Sequence, residues 1–460
     1  MTVSEASSDV AVIGGGLAGL AAAAALGATG LDVDLFERRP YLGGRAASYQ
    51  LPGTEETIDN CQHVLLGCCT NLLDFYARLG ASHLIRFHDR IPFVTPGGRA
   101  SLIRADDGPA PLHLLASLRD FHALGWRDKL SIGAGMTALS FELGMLPPER
   151  LDSVPMLEWL KGHLQTDRAI EFFWRVVLTS ALNEDLERVS AWHGLQVFWK
   201  GFLVNRAAYR VGVPAVPLGE LYRLRLPGVR VHLRASARSI EASSGRVTAV
   251  CLGDGRRARA RWFIVAVPFE NVQELLPGRD SAFTHSPIVG IHLWFDRPVM
   301  EQPFAALLGR TIQWAFRKPD DEGYVQCVVS AARSLVSPGR DEIVEMAVRE
   351  LAEFFPATVR RAELRKAAVV KEVRATYSPA AGVDRLRPPS RTQLENCFLA
   401  GDWTATCWPP TMEGAVRSGY RAAELVAAEA GRPRRFLQPD LEPEGLARWA
   451  PAARSRSWWR

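Results

Sequence analysis

Three glycines and one acid near the start of this 460-residue chain have the spacing of a phosphate-binding turn. Gly14-x-Gly16-x-x-Gly19 follows a short apolar run at 10–13 and leads into an Ala/Leu stretch from Leu17 to Ala28. A second run at 32–36 ends on Glu37, 23 residues after Gly14. This order predicts strand, glycine turn, helix and strand, the βαβ arrangement that binds a dinucleotide. Gly14 would make the tight turn, Gly16 would let a diphosphate approach the backbone, and Gly19 would let the helix pack on the strand. The amides of Leu17 and Ala18 open the helix, whose N-terminus favours an anion. Glu37 would accept a hydrogen bond from a ribose hydroxyl.

Two later segments extend this pattern. Gly43-Gly44-Arg45 follows Glu37 by six residues. Far downstream, a predicted strand at 397–400 runs into Gly401-Asp402-Trp403-Thr404, and Thr411-Met412-Glu413-Gly414-Ala415 opens a helix to about Ala428. Together these segments resemble the amine-oxidase/phytoene-desaturase superfamily of FAD proteins. The resemblance implies FAD as cofactor, with Gly43, Gly44 and Arg45 near the pyrophosphate and ribityl chain. Asp402, after Gly401, would accept from ribityl hydroxyls. The amides of Met412, Glu413, Gly414 and Ala415 would face the N1/C2 edge of the flavin, where a helix N-terminus stabilises negative charge. Acidic Glu37 disfavours a 2′-phosphate. No second GxGxxG is present for NAD(P)H.

The loop Asp59-x-Cys61-Gln62-His63-Val64-x-x-Gly67-Cys68 resembles that of bacterial hydroxysqualene dehydroxylases, and so do the C-terminal motifs. Cys61 stands where that family has Gly, and Cys407-Trp408-Pro409-Pro410 replaces a smaller run. The resemblance implies a long-chain isoprenoid substrate and reductive removal of its hydroxyl to give squalene, with an external electron donor. An allylic alcohol leaves as water once protonated, and the reaction needs a proton donor and a dry channel. His63 could donate that proton, position the hydroxyl, or be a structural histidine. Asp59 is an acid or a turn cap, and Gln62 bonds flavin, substrate or loop. Trp294, Trp314, Trp403 and Trp408 could line a cation site or sit in the core. Cys407 does not match the position of a covalent flavin link. An oxidative desaturase, an amine oxidase and a non-catalytic prenyl-chain binder share the fold. An amine oxidase would need a lysine near the flavin, and Lys200, Lys318, Lys366 and Lys371 are the distal choices.

These residues require an α/β fold: a Rossmann-type FAD-binding domain with a mixed α+β substrate domain formed by insertions. The FAD domain is expected from 1–85, 208–285 and 388–430, and the substrate domain from 86–207 and 286–387. The first insert reads as mostly helical, with Leu112, Leu115, Leu118, Phe121 and Leu124 at three-residue steps. The stretch 10–28 is uncharged but broken by glycines, so it is no membrane span. Hydrophobic content of 47% and charged content of 23% suit a globular chain. A net charge of +5 is too small for a nucleic-acid partner. Seven cysteines follow no metal-site spacing, so no metal is expected, and with an N-terminus lacking basic residues they point to a cytoplasmic protein. Residues 431–460 carry seven Arg, three acids and three Trp. This tail is expected to lie outside the core, either solvated or against an anionic membrane surface.

Overall fold

The computed structural model describes residues 7–223, 226–276, 282–318 and 321–454. Strand β1 (Ser7–Ile13) and strand β2 (Val33–Glu37) flank helix α1 (Leu17–Gly27), every residue of which is buried. The stretch that sequence hydropathy flags as nearly long enough to span a membrane is thus divided between a strand and a core helix. Among the described residues no helix is long and apolar enough to cross a membrane.

Around β1 a seven-stranded sheet has the order Val229–Leu233, β2, β1, Arg257–Val265, Arg246–Leu252 and Ala237–Ser243. Cys397–Leu399 pairs in parallel with Arg257–Val265. The strands pairing with β1 and β2 run parallel, and the apolar runs at 10–13 and 262–265 follow from burial on both faces. A second seven-stranded sheet joins Leu364–Tyr377, His285–Phe295, Asp321–Ser330, Trp314–Lys318, Phe304–Leu307, Ile91–Val94 and Ala100–Ile103. Helix α2 (Thr70–Arg78) follows the 58–68 loop, α3 (Trp126–Met145) is the longest helix of the first insert, and α4 (Met412–Glu429) packs on α1. That last contact is close enough that a Cβ at Gly419 would overlap the Ala18 carbonyl oxygen.

Two expectations change. The first insert contributes strands 91–94 and 100–103 to the second sheet, and its leucine repeat is a 3₁₀ turn, Leu112–Leu114, with one short helix, Leu115–Arg119. A three-residue period matches 3₁₀ geometry, so Leu112 and Leu115 share a side and stay exposed. The tail does not lie outside the core. Phe436 is fully buried against Tyr420, the Phe436 and Leu437 amides donate to Glu424, and the Gln438 amide donates to Asn71. Pro451–Arg454 packs on α3, with Pro451 against Gly144. Arg456, Trp458, Trp459 and Arg460 lie outside the described residues.

Candidate active site and its cavity

A cavity of about 930 Å³ runs from the β1–α1 turn, past the 61–64 loop, to α3 and the tail. At its first end the backbone does the work. Gly14 has φ +110°, where any side chain is strained, and a Cβ there would also overlap the Ala266 carbonyl oxygen. A Cβ on Gly19 would overlap the Gly14 carbonyl oxygen, so this glycine sets the helix–strand approach and stands off the cavity wall. Gly16 is different: a Cβ there would meet only the Gly44 Cα, at 3.9 Å, on the edge of open space. The second glycine turn lies against the first, with the Gly43 amide donating to the Gly15 carbonyl at 2.9 Å. Two glycine backbones thus leave a cradle that side chains would fill. Leu17 and Ala18 present first-turn amides that have no partner within the helix. Glu37 accepts from the Gly15 and Arg39 amides at 2.7 and 2.8 Å and keeps a face on the cavity. This donor set and open cradle fit the diphosphate and ribose of FAD.

Arg45 closes this end by donating to Asp402 at 2.7 Å and to the Ala375 carbonyl at 3.0 Å. Burial works against its charge, but Asp402 outweighs it and holds the guanidinium pKa above the usual value. Gly401 donates its amide to Ser418, and Thr411 caps α4 by accepting from the Gly414 amide at 3.1 Å. Gly401, Asp402, Met412 and Ala415 line the cavity, whereas Gly414 packs on the Pro409 carbonyl oxygen away from it. The Glu413 side chain is engaged elsewhere. Its carboxylate accepts from the Asn71 and Leu72 amides and from Arg417 at 2.7 Å, so it pins α4 to α2 and offers a cofactor only its backbone.

The 58–68 loop crosses the middle of the cavity. Cys61, Gln62 and His63 line it, but Asp59 does not. Asp59 accepts from Ser48, from the Leu218 amide and from Lys318, at 2.7, 3.0 and 3.0 Å. Burial would raise its pKa, but Lys318 and the other donors hold it below the usual carboxylate range. A carboxylate so placed is no proton donor, and the catalytic reading of Asp59 is replaced by an anchor for the loop. Lys318 also donates to Gln62 Oε1 at 2.6 Å, leaving Nε2 as the donor end of that amide. His63 Nδ1 lies 2.8 Å from the Cys61 carbonyl, which fixes the proton on Nδ1. Burial lowers the ring's pKa, so near neutrality His63 presents an unprotonated Nε2. It can therefore accept from a hydroxyl, while the charged acid form is scarce.

Beyond the loop the wall is made of side chains. Phe173 and Phe198 stack at 5.5 Å, and Trp314 packs beside Phe316. Two π-helical turns, Ile170–Trp174 and Trp199–Leu203, push Phe173, Trp199, Lys200 and Phe202 toward the cavity. Cys407, at φ +56°, turns the chain so that Trp408 reaches the wall. Of the four tryptophans expected at a cation site, Trp314 and Trp408 line the cavity. Trp294 stacks on Tyr324, and Trp403 donates to the Val267 carbonyl. The Trp408 ring already carries Lys200 and Arg417 at 4.0 and 4.3 Å from its centroid, so it is a poor host for a further cation.

Sequence reasoning missed Arg417 and Asp440, and it named Lys200 and Lys318 only as distal lysines, without a role at the 58–68 loop or the cavity wall. Lys200 lies 3.0 Å from Asp440, which also bonds Arg417, so the tail anchors into the cavity wall. Lysine scarcity was a usable signal: with only six in the chain, two are buried next to the site. Lys366 pairs with Glu56, and Lys371 donates to the Val336 and Pro338 carbonyls, both away from the cavity.

Comparison with known proteins agrees with this architecture. A family profile described as flavin containing amine oxidoreductase matches residues 17–427. A hydroxysqualene dehydroxylase of Sinorhizobium fredii is 29% identical, over 92% of this chain and 99% of its own length. A 15-cis-phytoene desaturase of Solanum lycopersicum is 25% identical, over 92% of this chain and 78% of that protein. A double mutant of putrescine oxidase superposes with a TM-score of 0.70 at 17% identity, covering 92% of this chain and 99% of that one.

Proposed function

The chain belongs to the flavin containing amine oxidoreductase family, and on that premise we propose that this FAD-dependent oxidoreductase is a hydroxysqualene dehydroxylase. One observation carries the reading: an apolar cavity that meets a small polar pair, Gln62 and His63, where it reaches the dinucleotide end. An uncharged hydrocarbon with a single hydroxyl matches that distribution. An amine would need a matching anion, and the wall acid Glu413 is already held by Arg417. The full-length likeness to the Sinorhizobium enzyme supports the same choice.

In the proposed reaction the allylic C–O bond breaks with its electron pair on oxygen. The oxygen takes a proton and leaves as water, and a hydride completes the new C–H bond. FAD, reduced by an external donor, supplies that hydride. Gln62 Nε2 donates to the substrate oxygen, with its own carbonyl held by Lys318. Neutral His63 Nε2 accepts a hydrogen bond from the bound alcohol; once protonated from solvent, it donates that proton to the hydroxyl oxygen, which keeps its own hydrogen and leaves as water. Because burial lowers its pKa, its protonated form is a stronger acid than free imidazolium. The apolar wall excludes water that would trap the cation. No disulfide joins cysteines among the described residues, which suits a reducing cytoplasmic setting, next to a membrane from which the isoprenoid is drawn.

Anaerobic photoreduction of the FAD-loaded protein, followed by hydroxysqualene, should give squalene and reoxidised flavin together. Unchanged alcohol in the presence of competent reduced flavin would overturn the proposal. Desaturation of phytoene by the oxidised holoenzyme would instead support a desaturase, a reading favoured by the likeness to the tomato enzyme.

A further inference from the structure

Helix α3 has an outer face that the fold leaves open over most of its length, the tail covering it only near Gly144, where Pro451 packs. Trp126, Leu130, Phe141 and Met145 stand on one stripe, with Gly133, Ala134 and Thr137 between them. Their spacing keeps them within about a third of the helix circumference, and the helix is about 30 Å long. Trp126 is 68%, Leu130 65% and Met145 75% exposed. The stripe contains no charged residue. Leu112 and Leu115 are exposed as well, as are Leu446 and Trp449 of the tail, whose Ala447 amide donates to the Ala110 carbonyl just before the 112–115 turn. Of the fifteen large hydrophobic side chains exposed among the described residues, eight lie in these three segments. Scattered apolar residues need no explanation, but a contiguous group of this size marks an interaction surface.

On α3 itself the charges are sorted by sign. Both acids of α3 turn inward: Asp128 accepts from the Gly125 amide and Thr166, and Glu142 accepts from Trp159 and His163. The cations turn outward, Arg127 over the Trp126 ring and Arg448 beside Trp449, both exposed. The same patch surrounds an opening. Leu112, Leu115 and Phe141 are each about half exposed yet line the cavity, as do Ala450 and Pro451 of the tail. The hydrocarbon arm of the cavity therefore reaches the surface inside the apolar patch.

We propose that this face of α3, with the 112–115 turn and the 446–451 strap, docks on an anionic lipid bilayer and opens the cavity directly into the hydrocarbon layer. The surface rests on the proposed function only for the identity of what passes through it. Tryptophans at the rim suit the headgroup level, and the outward cations are drawn to an anionic leaflet. A chain drawn in this way never crosses water.

The test uses the full-length holoenzyme and substrate-free vesicles of phosphatidylcholine, with and without phosphatidylglycerol. Cosedimentation should be strong with the anionic vesicles and weaker with the neutral ones. Leu130→Asp with Met145→Asp should lower anionic vesicle binding more than tenfold, because neither residue lines the cavity or touches the flavin end. The same variant should keep wild-type activity on detergent-dispersed substrate and lose activity on vesicle-borne substrate. Equal vesicle binding by wild type and variant would overturn the proposal. So would a wild-type dimer that the variant dissociates without any vesicle binding, since a second copy would then own the face. Vesicle binding is read without turnover, so failure of the proposed reaction leaves this result standing, and the reverse also holds.

Discussion

At the dinucleotide end of the cavity, backbone faces backbone: Gly14, Gly16 and Gly44 leave space, and Arg45 and Asp402 lock the two glycine-rich segments together. At the hydrocarbon end, side chains from two π-helical turns, a strained Cys407 turn and a strap from the tail meet in one wall. The first end recognises a fixed ligand through amides whose positions allow no slack. The second encloses a greasy chain through contacts that are weak singly and tolerant of shape. The difference predicts that lesions at the first end are all-or-none for cofactor, whereas lesions at the second change substrate handling and leave the cofactor in place.

Gly19→Ala should have the largest effect. Its Cβ cannot fit beside the Gly14 carbonyl, so the purified protein should lack visible flavin absorbance and unfold early. Gly16→Ala, with open space before it, should fold normally and still lose flavin; a yellow Gly16→Ala protein would break the comparison. Asp440→Ala removes the anion shared by Lys200 and Arg417. Breaking the buried Lys200–Asp440 pair costs about 3–5 kcal/mol, read by denaturant unfolding, whereas Arg417 keeps Glu413. Val177→Trp, on the apolar wall, should lower kcat/KM for the C30 alcohol about 100-fold, or about 2.7 kcal/mol, with an unchanged flavin spectrum. A short allylic alcohol should be spared.

Two smaller effects depend on pH. Burial raises the Asp152 pKa to about 6, so the fold prefers its protonated form. The stability it contributes is full below its unfolded pKa of about 4 and is lost as pH rises through 6. Asp152→Asn should therefore stabilise the protein by about 2 kcal/mol near pH 8 and hardly at all near pH 4. The His63 pKa is lowered, so dehydroxylation should rise as pH falls, with its midpoint below about 6.5. His63→Gln should flatten that profile without changing flavin content.

How much of this was legible in the sequence follows the same division. Gly14, Gly16, Gly19 and Glu37 lie within one βαβ unit, and local spacing specifies their roles because the chemistry is made by consecutive backbone. The hydrocarbon wall was not legible, because a π-helical turn leaves no periodic signature and Phe173, Phe198 and Trp314 come from separate elements. The leucine repeat at 112–124 was read as a long helix because periodicity alone does not separate a 3₁₀ step from an α-helical face. The motifs place Glu413 and Asp59 at the site but leave open where their carboxylates point. Each sits in a motif, and only tertiary partners, Arg417 for one and Lys318 for the other, show where its charge goes. The tail misled through composition: its arginines are conspicuous in sequence, whereas Phe436 and Asp440, which fasten it, are single residues.

The Arg45–Asp402 bridge also sets a timetable for biosynthesis. Its two members are separated by 357 residues of chain. At translation rates of roughly 5–20 residues per second, the first glycine turns wait on the order of 20–70 s before their partner leaves the ribosome. A nascent chain therefore carries half a nucleotide site with no lock on it, and cofactor capture belongs to the last moments of synthesis. Prematurely terminated products cannot retain flavin, so a cell could tell finished molecules from unfinished ones by occupancy alone.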